Sequence, residues 1–248
     1  LIDRAHLSDT QSDFDRGGRI LDGDGRLTAL RAAEGKAMAM FEAIERSGII
    51  APGRTEREIE QDIYALAESE FGVTKHWHKR IVRAGANTVC VFSDNPPILE
   101  VAEDDIVFLD LGPVFDAWEA DVGRTYVVGD NPEKIRLCQD LSRIFDALER
   151  HFQETPDITG AELYAAAQAM AADAGWIFAG AIAGHTVDEF PHARIPGNKD
   201  HSRISPENPT RLRDPDGHGN PKHWILEVHL ADQTRTFGGF YERLMART

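Results

Sequence analysis

Only two cysteines occur among the 248 residues, Cys90 and Cys138, far apart and in no C-x-x-C spacing. Neither a disulfide framework nor a thiolate zinc site is suggested, and both are read as reduced core thiols. Basic residues are also scarce: 27 Lys and Arg stand against 42 Asp and Glu, a formal net charge of −15. With no basic stripe to follow a phosphate backbone, a nucleic-acid partner is not expected, and the excess acid is read as a solubilising surface. No apolar run approaches the roughly 18 residues of a membrane span. The polar opening LIDRAHLSDTQSDFD also lacks the apolar stretch of a secretory signal. The expectation is a cytoplasmic protein with no membrane partner. What is present is ordinary for a folded enzyme-sized chain, 42% hydrophobic and 28% charged residues, enough for one large domain or two small ones.

Residues 1–27 are rich in Asp and Gly and read as an irregular arm, with Asp22-Gly23-Asp24-Gly25 as a turn signal. Asp13, Asp15, Gly18, Ile20 and Asp24 fall loosely on a calcium-loop template, but Gly17 occupies its fifth position and no helix pattern precedes it, so a solvated turn is the reading. From Thr28 to Arg46, apolar Leu30, Ala33, Ala37, Phe41 and Ile44 recur at helical spacing. Thr55 and Glu58 then form a capping box opening a second helix that runs to about Phe71. The phrase Pro-x-x-Thr-x-x-Glu-[Ile/Leu] returns at Pro156 to Leu163, after another amphipathic helix from Pro132 to Phe152. Strand-like runs at 78–84 and 105–128 follow the first helix pair, and one at 222–242 follows the second. The order predicts a duplicated α+β chain, with halves at about 28–130 and 131–248 sharing one curved antiparallel sheet and a site where they meet. The polar, turn-rich stretch from Pro196 to Pro221 is expected to be a flap near that site.

Asp110 and Asp121 lie eleven residues apart in IVFLDLGPVFDAWEADVGRTYVVGD. A two-residue turn at Phe115-Asp116 would set them directly opposite each other in an apolar hairpin. Two carboxylates there repel, and each needs a countercharge or a proton. The second half offers further polar groups in apolar or turn contexts: His185 in AGHTVDEFPH, Glu227 in WILEVHL and Glu242 after FGGFY. A lone His is more often a hydrogen-bonded core residue, but charged residues are rarely buried without partners. Two divalent ions would balance four carboxylates, and mostly oxygen ligands with one imidazole suit Mn, Fe, Co or Zn.

With Gly184-His185, His192 seven residues later, Glu227 and Glu242, the set LDLG…ADVGRT resembles the ordered motifs of the creatinase, prolidase and methionine aminopeptidase family of metallopeptidases, from about residue 28 to the end. The resemblance implies the pita-bread fold and a length like that of the methionine aminopeptidases. It implies two metal ions, with Asp110 a terminal ligand of one, Asp121 and Glu242 bridging, and His185 and Glu227 terminal ligands of the other. It also implies hydrolysis of a peptide or amide C–N bond by a metal-bridging hydroxide, with His192 at the substrate carbonyl and Glu227 or Glu242 carrying the proton. The alternatives are a creatinase-like small-molecule hydrolase and a non-catalytic binding module; a homodimer is left open.

The chain departs from that pattern at three places. The His expected shortly before the first metal Asp would fall at about Phe92 or Ser93 and is absent, which speaks against ordinary amino-terminal cleavage. Ala193 follows His192 where prolidase-like members carry Glu. At 227–229 the relatives have Glu-Pro, whereas this chain has Glu-Val-His, so His229 shares the face of Glu227 and is a candidate acid, base or hydrogen-bond donor; a histidine bonded within the strand layer is the alternative. His76 and His78 are candidates for the pocket rim or, more simply, surface histidines.

Overall fold

Thr55 and Thr159 each cap a helix as the repeated phrase predicts. In both, the threonine hydroxyl accepts from the backbone N–H three residues on, and the glutamate there accepts from the threonine N–H. The computed structural model describes residues 23–191 and 199–245. Helices α1 (Gly23–Ser47) and α2 (Glu56–Phe71) precede strand β1 (Ile81–Ala84), a 3-10 turn (Gly85–Val89) and strands β2 (Asp105–Leu111), β3 (Val114–Phe115), β4 (Trp118–Glu119) and β5 (Val122–Val128). Then come α3 (Pro132–Glu154), α4 (Gly160–Asp173), β6 (Ile177–Phe178), β7 (Gly184–Val187), β8 (His223–Ala231) and β9 (Gly238–Leu244).

Seven strands make one antiparallel sheet in the order β1-β2-β5-β9-β8-β6, with β7 also on β8; β3 and β4 pair separately. Strand alternation divides the two faces. Val107, Leu109 and Leu111 of β2 pack with Phe41 and Ile44 of α1 and Ile59 and Ile63 of α2. Leu226, Val228 and Leu230 of β8 pack with Leu137, Leu141 and Leu148 of α3 and Leu163 and Ala167 of α4. Each half thus has its own helix-backed core, as the duplicated order of elements predicts. Phe108, Asp110, Glu227, His229 and Phe240 line the cavity on the other face.

Two elements differ from the sequence reading. Helix α1 begins at Gly23, so residues 23–27 belong to it and not to the arm. Leu27 and Leu30 are buried with Val187, Ile225 and Leu244, and that tertiary burial outweighs the poor helix propensity of the Gly-Asp-Gly opening. The rest of the calcium-loop candidate, Asp13 to Ile20, lies outside the described residues. In the hairpin, Val114 faces Glu119 and Phe115 faces Trp118, so the turn centres on Asp116-Ala117, not Phe115-Asp116. Asp116 takes a φ of +57°, a conformation Asp tolerates far better than Phe. The register consequently moves by two residues, and Asp110 stands opposite Gly123, not Asp121. Because the move is even, no side chain changes face.

The stretch expected to be a flap lies beside the cavity. Its described part, residues 199–221, is tied to the second half: Ile204 N–H donates to the Gly184 carbonyl, Leu212 N–H to Ile158, and Trp224 Nε1 to Leu212. Fully buried Asn208 braces it, donating to the Arg203 carbonyl and accepting from Thr210. His201, Arg203, Thr210 and Asp214 of this segment line the cavity.

Glu56 shows how firmly the first half fixes the strand leading to the site. Its buried carboxylate accepts from the N–H groups of Ala84 and Leu99 and from Asn87 Nδ2. Glu56→Ala orphans these donors at once and is expected to cost about 3 kcal/mol, read as a lower urea midpoint at unchanged slope. Glu56→Gln, which keeps one acceptor, is expected to cost less.

Candidate metal centre

The positions of the carboxylates follow from the strands. Asp110 is near the end of β2, Asp121 leads into β5, and Glu227 on β8 stands directly opposite Glu242 on β9. Gly123 is what lets β5 close on β9: a Cβ there would lie 2.5 Å from the Phe240 ring and 3.0 Å from Glu242 Cβ. His185 enters from β7, opposite Ile225. Its neighbour Gly184 has φ +142°, and a Cβ on it would sit 2.1 Å from the Ile225 carbonyl oxygen. Gly184→Ala must therefore push β7 off β8. The expected result is a loss of about 2–3 kcal/mol in thermal or chemical unfolding, with weaker divalent-ion uptake as His185 moves.

Two tight groups of potential ligand atoms result. In one, atoms of His78, Asp110 and Asp121 lie within 4.8 Å of one another; in the other, atoms of Asp121, His185 and Glu242 do. Asp121 belongs to both. Its Oδ2 is 3.0 Å from His185 Nε2 and its Oδ1 is 3.1 Å from His78 Nε2. Glu227 falls outside both tight groups, yet its charge is felt at His185 and it feels Asp110 and Asp121 in turn.

Electrostatics reflect this crowding. Burial, reinforced by the Asp110 and Asp121 charges, pushes the Glu227 carboxyl up to about 8. Burial also drives Glu242 well above the usual carboxylate range, with Asp121 and Asp110 adding to it. Asp110 rises to about 6, because burial and Asp121 outweigh His78. Asp121 goes the other way, to about 2: burial opposes its charge, but the two histidines beside it prevail. Burial likewise opposes a charged ring at His78 and His185, and the neighbouring carboxylates overcome it, raising both to about 9.

Buried Glu227 Oε1 and Glu242 Oε2 have no hydrogen-bond partner among the described residues. Leaving such oxygens dry and unpaired is costly, and four clustered carboxylates with imidazole nitrogens are a donor set suited to divalent cations. The residues present therefore fit such ions. Asp121 meets Asp110 in one group and His185 and Glu242 in the other, with Glu227 across the ladder from Glu242.

The remaining candidates are placed differently. His192 lies outside the described residues. His229 shares the cavity face with Glu227, but its Nε2–H donates to the Thr88 carbonyl at 2.8 Å, and burial holds the ring below its usual pKa. It is a neutral histidine pinned within the strand layer. His76 is also kept neutral by burial, its pKa lowered to about 4. No histidine replaces Phe92 at its own position; its side chain, 54% exposed, lines the cavity. The sequence marks His78 only as a rim or surface residue. The structure puts it inside, with a side chain 5% exposed.

The groups lie in a cavity of about 960 Å³. Ile81, Phe108 and Phe240 form an apolar cluster beside them. Arg83, Arg203 and Lys222 are also among its lining residues. Both cysteines are free, and no helix of the described residues is long and apolar enough to cross a membrane.

A helix-backed antiparallel sheet with clustered carboxylates and histidines on its open face is the architecture of the pita-bread metallohydrolases. The model of metallopeptidase family M24 matches residues 28–213, and the chain belongs to that family. It is 27% identical over 169 residues to an Xaa-Pro dipeptidase of Lactobacillus delbrueckii subsp. lactis, covering 66% of this chain and 44% of the relative. Among solved structures, a prolidase from Thermococcus sibiricus superposes with a TM-score of 0.68 at 21% identity, over 90% of this chain and 56% of that one. A methionine aminopeptidase from Thermotoga maritima gives a TM-score of 0.61 at 15% identity, over 86% and 88%. The chain thus spans about half the length of the dipeptidase and prolidase it matches.

Proposed function

We propose that this chain is a metal-dependent hydrolase that cleaves a peptide C–N bond, with residues 28–248 as its catalytic unit. The observation that carries the reading is the pair of overlapping ligand groups sharing Asp121 within a large cavity. The similarity to an Xaa-Pro dipeptidase supports a peptide as the substrate.

Asp110, Asp121, His185, Glu227 and Glu242 would hold two divalent ions, Mn, Fe, Co or Zn by ligand type. When bound, such ions polarise a carbonyl and lower the pKa of water to near neutrality. The chain's own residues do the rest. The buried carboxylates would balance the charge of the ions in a low-dielectric site, where electrostatic attraction is stronger than in water. Glu227 Oε1, buried and without a hydrogen-bond partner among the described residues, accepts the proton of the attacking water and returns it to the departing nitrogen. Ile81, Phe108 and Phe240 exclude water on one side and receive an apolar substrate group.

The test is a panel of amino-terminal peptides, Xaa-Pro dipeptides and small amides, assayed with added Mn alongside metal analysis. Peptide turnover with about two ions per chain is expected. Turnover of small amides alone would replace the peptidase reading with a small-molecule hydrolase, and a protein that takes up no divalent ion would defeat both.

A further inference from the structure

We propose that His78 is a further metal ligand of this centre, binding through Nε2 the ion shared by Asp110 and Asp121. The inference rests on the metal-dependent reading above and adds a second imidazole to its ligand set.

His78 and His185 are arranged alike around Asp121. His185 directs Nδ1 to the carbonyl oxygen of the next residue, Thr186, at 2.9 Å, and Nε2 to Asp121 Oδ2 at 3.0 Å. His78 directs Nδ1 to the carbonyl oxygen of its own next residue, Lys79, at 2.6 Å, and Nε2 to Asp121 Oδ1 at 3.1 Å. A carbonyl can only accept, so each ring carries its hydrogen at Nδ1 and leaves Nε2 as the variable site. This is how metal-binding histidines are commonly oriented: the far nitrogen donates to a backbone carbonyl and the near one faces the ion. His78 Nε2 is also 3.4 Å from Asp110 Oδ1, so three donor atoms from three chain segments converge.

The surroundings hold the ring in that pose. Trp77 stands between the two histidines, with ring centroids 4.5 Å from His78 and 5.3 Å from His185. The backbone N–H of Trp77 donates to the Gly112 carbonyl at 2.9 Å. Gly112 has no room for a side chain: a Cβ there would lie 2.3 Å from His78 Cδ2 and 2.5 Å from His78 Nε2. Phe92 covers His78 from another side at 5.8 Å between ring centroids. A histidine needed only for surface solubility would have none of this enclosure.

Cobalt(II) substitution tests the assignment without relying on turnover. Each imidazole bound to cobalt gives an exchangeable ring N–H proton resonance shifted far outside the ordinary proton spectrum, and the Nδ1–H donors to Lys79 and Thr186 should be protected enough to see. The expected result is two such resonances in the wild-type protein at two cobalt ions per chain. In His78→Gln one is lost, and one of the two binding steps weakens at least about 10-fold. Two bound ions with a single shifted resonance in wild type, or a His78→Gln protein with unchanged resonances and affinities, would overturn the proposal and leave the hydrolase reading intact. Absence of any cobalt uptake by wild type would instead overturn the metal reading, and this inference with it. Because the wild-type count decides alone, a poorly folding variant does not blunt the test.

Discussion

Asp121→Asn is expected to take up divalent metal at least about 100-fold more weakly than the parent, beyond the 10–100-fold typical of changes to groups behind the ligands. Its turnover with Mn is expected to fall on the order of 10³-fold, the upper range for losing one preorganised electrostatic partner. The reason is topological. Asp121 is the one side chain common to both ligand groups, and each of its oxygens faces a different histidine. Asn keeps the shape but removes the charge on which both groups depend. Calorimetric metal titration and steady-state rates would check it; a variant with parental metal content and a rate within about tenfold of the parent would show that the shared carboxylate is not the centre of the site.

Stability should depend on pH in a direction unusual for an acidic protein. Asp110, Glu227 and Glu242 have folded pKa values raised above those of the open chain, as do His78 and His185. For every one of them the folded state holds its proton more tightly. Its contribution is present below the unfolded pKa and is lost as the pH rises through the folded value. For Asp110 that window runs from 3.8 to about 6, for Glu227 from 4.5 to about 8, and for the two histidines from 6.5 to about 9. Asp121 has the opposite sign, contributing above 3.8 and losing its contribution as the pH falls toward about 2. Between about pH 5 and pH 9 the chelated protein should therefore become steadily less stable, by up to about 1.4 kcal/mol per pH unit for each proton of difference. Saturating Mn or Co should flatten or reverse the slope, because the ions bind the deprotonated ligands. At about pH 8 they should raise Tm on the order of 10 °C. Melting curves across this range, with and without chelator, would reveal the effect; a flat chelated profile insensitive to metal would rule it out.

What could be read from sequence tracks how local each determinant is. Capping boxes at Thr55 and Thr159 depend on residues three apart, and both form. Five candidate ligands could be found because they sit as polar interruptions within apolar strands or beside a glycine. The hairpin register was missed by two residues because one left-handed residue, Asp116, decides where the chain reverses. The start of α1 was missed because it depends on burial of Leu27 and Leu30 against residues more than a hundred positions away. His78 was hidden for a similar reason. It lies outside any strand, and contacts distant in sequence, Ile81 paired with Asp110 and the Trp77 backbone N–H bonded to Gly112, bring its segment over the carboxylates. The visible trace of it was Gly112 in LDLG, whose missing side chain makes the room.

The join between β5 and β9 has a wider meaning. The strands are registered at Gly123 opposite Glu242, and beyond that the Thr125 hydroxyl completes the join, donating to the Phe240 carbonyl and accepting from its N–H. On one side stand Asp110 and Asp121, and on the other His185, Glu227 and Glu242. A cation gripped from both sides would act as a rivet across the seam, tying the two helix-backed halves into one unfolding unit, so that occupancy of the site would set the size of the molecule's cooperative unit.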